Sequence, residues 1–265
     1  MAITAFANLK GGVGKSLISM GCAHAAAADG KRVLLIDADP QGNTSIQMTN
    51  GEVSPETPVT SLADVLDRNS EVSIRDAIMP SRRQGIDLLP CGFDSLQVVQ
   101  NALFGLPGAE RSLSRVLRPI AGEWDAVFID TRPATDLLTI NALMAADNMV
   151  MILEPEIGAV RGGHQTQRTI DDLEQYLDKN LVTAGVVINR VDIRRSDHLD
   201  MVAQIRRMSQ EEEIAILGDP IPLMADLSRL SAVGMGLDEH PRKTARSRNI
   251  AEVFHDIVKG IEAAA

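Results

Sequence analysis

A glycine-rich segment with two lysines carries the strongest chemical signal in the chain. It consists of Lys10, Gly11, Gly12, Val13, Gly14, Lys15 and Ser16. An apolar run at residues 3–7 precedes it and an alanine-rich helical pattern follows it, which is the setting of a phosphate-binding loop between a strand and a helix. Glycines let consecutive backbone N–H groups face a phosphate, and the N-terminal end of the following helix adds positive potential. The segment therefore predicts binding of a nucleoside triphosphate.

The polar side chains of this loop have separate tasks. Lys15 neutralises phosphate charge, and the Ser16 hydroxyl is a magnesium ligand of the expected type. Leu17, which follows directly, completes the set of predicted nucleotide contacts in the loop. The general pattern of phosphate-binding loops has a glycine at the position of Leu9. This chain instead matches a narrower pattern that contains a second lysine, Lys10.

Three aspartates follow apolar strand patterns. Residues 34–36 lead into Asp37 and Asp39, and residues 126–129 lead into Asp130. The carboxyl ends of parallel strands share one sheet edge, where ligands bind, and magnesium prefers rigid oxygen ligands. Each aspartate taken alone is explained as well by a helix cap or a solvated loop. Three of them beside a phosphate loop favour a metal site, with Asp130 as the main magnesium candidate.

The composition favours one α/β domain over residues 1–265. Hydrophobic residues make up 45% of the 265 residues and aromatic residues 3%, as in a buried parallel sheet covered by helices. Cys22 and Cys91 provide neither a disulfide framework nor metal-ligand spacing, which favours a reducing cytoplasm. Neither a signal peptide nor an apolar run of the roughly 20 residues that span a bilayer is expected.

Apolar runs that alternate with helical patterns predict the architecture. The predicted strands lie at residues 3–7, 33–36, 86–89, 126–129, 149–153, 182–188 and 214–217. Predicted helices lie at residues 96–103, 113–120, 160–177 and 198–208, and the polar stretch 42–83 is expected to be a surface excursion. The alternation predicts an open, mostly parallel, doubly wound sheet with helices on both faces, of the P-loop NTPase type.

The glycine-rich loop, residues 37–43 and the strand ending at Asp130 together resemble the deviant Walker A ATPases of the ParA and MinD family. The resemblance covers nearly the whole chain and is to small ParA proteins in particular. It implies a slow ATPase that uses ATP and Mg²⁺ and forms a homodimer with the nucleotides between its subunits. Lys15 is implied to hold the phosphates of its own nucleotide and Lys10 to reach the nucleotide of the partner. Two facing sites can share such lysines, whereas one site would be crowded by them.

The resemblance also implies the remaining roles. Asp39 is implied to orient the attacking water, and Asp37 to support the magnesium and phosphate site. Asn189 ends a strand where the family has an adenine-contacting asparagine, and Pro222 matches a base-flanking loop. Turn chemistry after a strand explains Asn189 equally well. Arg132 departs from the family, whose members usually have proline there, and it places a cation beside the expected γ-phosphate region.

The C-terminal segment helps to distinguish the ParA branch from the MinD branch. Residues 249–265 combine an apolar helical stripe with three acidic residues and a single lysine, Lys259. This pattern favours docking on the protein's own core over a membrane anchor. Because the loop begins at residue 10, we expect no N-terminal helix-turn-helix domain and no operator binding. The alternative is a MinD-like or orphan ATPase that positions a protein assembly or acts at a membrane.

The ParA branch implies non-specific DNA binding in the ATP state, a ParB-type adaptor or activator, and nucleoid association within the cytoplasm. The formal net charge of −10 means that DNA affinity must come from a local patch. The predicted DNA contacts form a cluster without a carboxylate: Arg242, Lys243, Arg246 and Arg248. Secondary candidates are Arg190, Arg194, Arg195, Arg206 and Arg207. A solvated face accounts for such a charge run about as well.

Overall fold

The computed structural model describes residues 2–57, 59–240 and 244–264. This part of the chain forms a seven-stranded sheet in the order β3-β4-β2-β5-β1-β6-β7. The strands are β1 (Ala2–Ala7), β2 (Val33–Ala38), β3 (Met79–Pro80), β4 (Ile86–Leu89), β5 (Ala126–Thr131), β6 (Asn148–Leu153) and β7 (Val182–Ile188). All pairs are parallel except β3 with β4. The predicted mostly parallel α/β fold is confirmed.

Helices cover both faces of the sheet. Their bounds are α1 (Lys15–Ala28), α2 (Asn43–Met48), α3 (Leu62–Leu66), α4 (Ile74–Ala77), α5 (Asp94–Leu103), α6 (Ser112–Leu117), α7 (Leu137–Ala145), α8 (Ala159–Leu177), α9 (Ser196–Glu211), α10 (Ala225–Ala232) and α11 (Ala245–Ala263). Helices α1 and α11 pack on one face, while α3, α5, α6 and α7 pack on the other. Helices α8 and α9 cover the β6–β7 edge.

The predicted strand at residues 214–217 is wrong. Ile216 forms only an isolated parallel bridge with Val186. Gly218, with φ of 66°, turns the chain away before a ladder can extend. Leu217 approaches Gly185 so closely that a Cβ there would lie 2.5 Å from its Cγ atom, and the leucine side chain is buried. The segment therefore adds core contacts rather than a strand.

Residues 42–83 do not form a surface excursion, because their apolar side chains enter the core. Met48, Val53, Leu62 and Leu66 are all buried. The last three belong to the apolar cluster formed with α5, α6 and α7, whereas Met48 joins the cluster on the α1 face. The average composition of this segment is polar, so the sequence pattern did not indicate which of its positions are buried.

The strand register brings the predicted site together. Asp130 of β5 is aligned with Asp37 of β2 on one side and with Phe6 of β1 on the other. Strand β1 leads directly into the glycine-rich loop, so the loop and the strand-end aspartates share one sheet edge. Parallel pairing of strands distant in sequence thus builds this edge.

Helix α11 docks on the core, as its apolar stripe predicts. Ile250, Phe254, Ile257 and Ile261 are buried. Phe254 fits over Gly21 of α1, where a Cβ would lie 2.2 Å from the phenyl ring. No helix within the described residues is long and apolar enough to cross a membrane.

Candidate nucleotide-binding site

The glycine-rich loop has the backbone shape that its glycines predict. Gly12 and Gly14 have φ of 81° and 91°, a region that other L-residues rarely adopt. Gly14 also precedes α1, and its carbonyl accepts a hydrogen bond from the Ile18 amide at 3.0 Å. A Cβ at Gly14 would lie 2.3 Å from the side-chain nitrogen of Asn189. Both conformation and space therefore require glycine at this position.

The two lysines of the loop have different surroundings. Lys15 is only 6% exposed, and its Nζ donates to the Asn8 carbonyl at 3.2 Å. Burial lowers the Lys15 pKa, while the charges of Asp130 and Asp39 act in the opposite direction. Lys10 is exposed, and its backbone N–H donates to Asn8 Oδ1 at 2.8 Å. One lysine thus lies inside the site and the other at its surface.

Both carboxylate oxygens of Asp37 accept hydrogen bonds from residues nearby in the chain. Its Oδ2 accepts hydrogen bonds from the Ser45 backbone N–H and hydroxyl, each at 2.7 Å. Its Oδ1 accepts from the Asp39 backbone N–H at 3.2 Å. These bonds fix the start of α2 and the position of Asp39, so Asp37 supports the site through other residues.

Asp130 has one engaged and one free carboxylate oxygen. Oδ2 accepts from the Thr44 hydroxyl at 2.6 Å, whereas Oδ1 is buried without a hydrogen-bond partner among the described residues. Burial is the largest cause that raises the pKa of both Asp130 and Asp37, and the adjacent carboxylate adds to the rise for Asp37. Such a pair calls for positive charge at this edge of the sheet.

Sequence reasoning missed the residues that hold these groups in place. Thr44 and Ser45 lie in the first turn of α2, which begins after Gly42 with φ of 66°. Asn8 anchors the loop from below, because its Nδ2 donates to the Ile152 carbonyl at 2.5 Å. The local signal is Gly42, followed by the short polar residues Asn43, Thr44 and Ser45 soon after Asp39, and this pattern does not indicate their long-range partners.

Asn189 lies directly against the loop. Its Nδ2 donates to the Val13 carbonyl at 2.8 Å, and its Oδ1 is buried without a partner in the described part of the chain. The bridge between Val191 and Pro222 places the latter beside this strand end. Arg190 has φ of 59°, and its Nη1 donates a hydrogen bond to the Gly12 carbonyl of the loop. The structure therefore places Asn189 against the loop and Pro222 beside Val191, and their contacts with the adenine stay a prediction.

These elements surround a cleft of about 490 Å³. Predicted residues that line it are Gly12, Gly14, Lys15, Ser16, Leu17 and Asp39. Further lining residues include Gln41, Gln47, Arg132, Arg190 and Ser228. The buried aspartates Asp37 and Asp130 lie behind this wall, with no exposed surface. The cleft therefore offers hydrogen-bond donors for phosphate, cations and the Asp39 carboxylate, with the two buried carboxylates behind its wall.

The predicted DNA contacts are only partly described. Arg242 and Lys243 lie outside the described residues, and Arg246 and Arg248 are exposed near the start of α11. Among the secondary candidates, Arg206 and Arg207 are exposed. Ion pairs join Arg194 to Asp192 at 2.8 Å and Arg195 to Asp197 at 2.6 Å, and Arg190 lines the cleft.

Comparisons with known proteins agree with this geometry. A family model described as an AAA domain matches residues 1–183. The chromosome partitioning protein ParA of Caulobacter vibrioides is 37% identical over 198 residues, which cover 74% of this chain and 72% of that protein. The chain belongs to the ParA/MinD family of ATPases. The sporulation initiation inhibitor protein Soj of Bacillus subtilis is 29% identical over 263 residues, which cover 98% of both chains.

This ParA/MinD ATPase is also similar to a solved structure that contains a bound nucleotide analogue. Cobyrinic acid a,c-diamide synthase from Mycobacterium smegmatis, with a bound ATP analogue and magnesium, matches with a TM-score of 0.80 at 28% identity. The match covers 98% of this chain and 93% of that chain. It confirms the fold along the whole chain.

Proposed function

We propose that this chain is an ATP-driven partitioning switch of the ParA type. ATP with Mg²⁺ joins two copies into a dimer, the dimer binds DNA without sequence preference, and a ParB-type partner stimulates hydrolysis. The proposal rests mainly on one observation: the glycine-rich loop and Asp39 line one cleft, and the buried aspartate pair lies at the same sheet edge. Homology to ParA and Soj supports the partitioning role.

The residues at the cleft fit magnesium. The buried Asp130 Oδ1 lacks a partner among the described residues, and Ser16 lies at the cleft wall. Hydroxyl and carboxylate oxygens are hard donors, and Mg²⁺ usually takes one or two carboxylates together with substrate phosphates. When bound, the metal neutralises charge on the β- and γ-phosphate oxygens. Asp37 contributes by holding Asp39 and α2.

Hydrolysis then depends on residues that position the attacking water and stabilise the charge on the phosphates. The charges of Asp130 and Asp39 favour the charged form of Lys15 against the larger, opposite effect of its burial, and the negative charge of a bound phosphate favours that form further. Asp39 lines the cleft, with its backbone N–H fixed by Asp37, and it orients the attacking water. Positioning and electrostatics supply most of the catalysis in phosphoryl transfer. Exposed Lys10 serves the nucleotide of the second copy.

Dimer formation makes DNA affinity depend on ATP. The chain carries a net charge of −10, so DNA binding by one copy depends on a local cluster that includes the exposed residues Arg246 and Arg248. Two copies double the number of phosphates that are neutralised, and the affinity then falls more steeply with salt. ATP therefore controls DNA binding through the number of DNA phosphates that the dimer neutralises.

Co-sedimentation with plasmid DNA and with anionic liposomes, each with ATP and with ADP, tests the proposal. We expect sedimentation with DNA in ATP only and none with liposomes, because the apolar stripe of α11 is buried against α1. Light scattering should show a dimer with ATP and a monomer with ADP. ATP-dependent sedimentation with liposomes but not DNA would favour the MinD-like alternative.

A further inference from the structure

The turn that follows β5 lies against the glycine-rich loop. The Thr131 hydroxyl donates to the Phe6 carbonyl at 2.7 Å, which ties the end of β5 to β1. A Cβ at Gly11 would lie 3.7 Å from the Pro133 ring, an ordinary packing distance. Arg132 stands between these two anchored residues and lines the cleft. Its backbone is therefore fixed beside the phosphate loop.

The Arg132 guanidinium is held from one side. Nη1 forms an ion pair with Asp136 Oδ2 at 2.8 Å and donates to Gln97 Oε1 at 3.0 Å. Asp136 is itself immobilised, since its Oδ1 accepts from the Thr139 backbone N–H and caps α7. The Arg132 side chain is 26% exposed. Its Nε and Nη2 make no hydrogen bond within the described residues.

We propose that Arg132 binds the terminal phosphate of ATP in its own subunit, while Asp136 and Gln97 orient it. The proposal rests on the proposed ATPase function. A guanidinium edge with two N–H donors matches two oxygens of one phosphate group. Since one nitrogen is already anchored, little side-chain freedom remains to be lost on binding.

The consequence is discrimination between nucleotides. The γ-phosphate distinguishes ATP from ADP, so an interaction made only with that phosphate changes ATP affinity and leaves ADP affinity unchanged. Hydrogen bonds to charged groups correspond to a change of about tenfold or more in affinity. Lys15, by contrast, contacts phosphates on the loop that both nucleotides share.

Titration calorimetry with Mg²⁺ and either the non-hydrolysable analogue AMPPNP or ADP tests the proposal. We expect Arg132→Ala to weaken AMPPNP binding about tenfold or more and ADP binding by less than about twofold. Asp136→Ser keeps a capping side chain at α7 but removes the anchor of Arg132. It should therefore also weaken AMPPNP binding relative to ADP binding. Arg118→Ala is the matched control, because Arg118 is exposed in the turn before β5.

The possible results separate the proposal from the proposed function. A wild-type protein that binds neither nucleotide contradicts the ATPase function itself. Wild-type binding of both, with an unchanged AMPPNP/ADP ratio in Arg132→Ala, overturns the role of Arg132 alone. If thermal melting shows that Arg132→Ala is unfolded, Arg132→Lys decides, since it keeps the charge beside Asp136 but lacks the two-donor edge. The effect should persist in Lys10→Ala protein, and its loss there would contradict contact within one subunit.

Discussion

Acidification should weaken the packing of α1 against the segment that follows α10, because it protonates a buried histidine. His24 is 4% exposed, and its Nδ1 has no hydrogen-bond partner among the described residues. Glu239 Oε2 lies 3.7 Å away, but Arg83 pairs with that carboxylate and with Asp238. Burial is the main cause that lowers the His24 pKa to about 4. Glu239 and Asp238 oppose this effect, whereas Arg83 and Arg82 reinforce it.

The magnitude follows from the difference in proton binding between the folded and unfolded states. The unfolded chain binds the proton at its ordinary pKa of 6.5, and the folded chain binds it only near 4. The stabilising contribution of neutral His24 is therefore complete above the unfolded value and is lost as the pH falls through the folded one. At about 1.4 kcal/mol for each pKa unit, the full loss in unfolding free energy, reached below the folded pKa, is about 3–4 kcal/mol.

Urea unfolding of the wild type and of His24→Gln, measured from about pH 7.5 to about pH 4.5, isolates this contribution. Other titrating groups contribute equally to both proteins, so the difference between the two unfolding free energies carries the His24 effect. Because this range ends above the folded pKa of about 4, the wild type should lose about 2–3 kcal/mol more than the variant. His164→Gln, at a partly exposed histidine that pairs with Glu212 at 3.1 Å, is the control. Parallel curves for wild type and His24→Gln would refute the assignment.

Four further expectations concern the dimer, hydrolysis, DNA binding and the core. Lys10→Ala should abolish the ATP-dependent dimer while nucleotide binding partly survives, and an unchanged dimer in light scattering would contradict contact between subunits. Asp39→Ala should keep the dimer and lose hydrolysis, which steady-state phosphate release measures; unaltered turnover would assign the water to another residue. Arg242→Glu combined with Lys243→Glu should strongly reduce ATP-dependent DNA binding in mobility shifts without loss of the dimer, and equal binding would exclude this cluster. Phe254→Ala should lower the unfolding free energy by about 3–5 kcal/mol in urea titrations, because the ring is buried over α1, and a change near zero would contradict the docking of α11.

The sequence predicted the parts of the site that local patterns encode. The glycine-rich loop depends on the conformations of neighbouring residues, and the strand-end aspartates follow from apolar runs that form parallel strands. The hydrogen bond from Thr44 to Asp130 joins residues far apart in the chain, so no local pattern contains it. The same applies to the contact of Asn8 with Ile152. The strand expected at residues 214–217 is reduced to one bridge between Ile216 and Val186, because the chain turns at Gly218 with φ of 66°.

The charge of the site and its geometry depend on the same short segment. Strand β2 aligns Asp37 with Asp130, and this buried pair is costly unless cations compensate it. Residues just after the strand hold the pair in place, since Ser45 bonds Asp37 and Thr44 bonds Asp130. Asp39 lies between the strand and α2, with its backbone tied to Asp37. We therefore expect a magnesium-bound nucleotide that compensates the pair to act on the segment that positions Asp39, the proposed hydrolytic residue, and so to couple nucleotide binding to the alignment for hydrolysis.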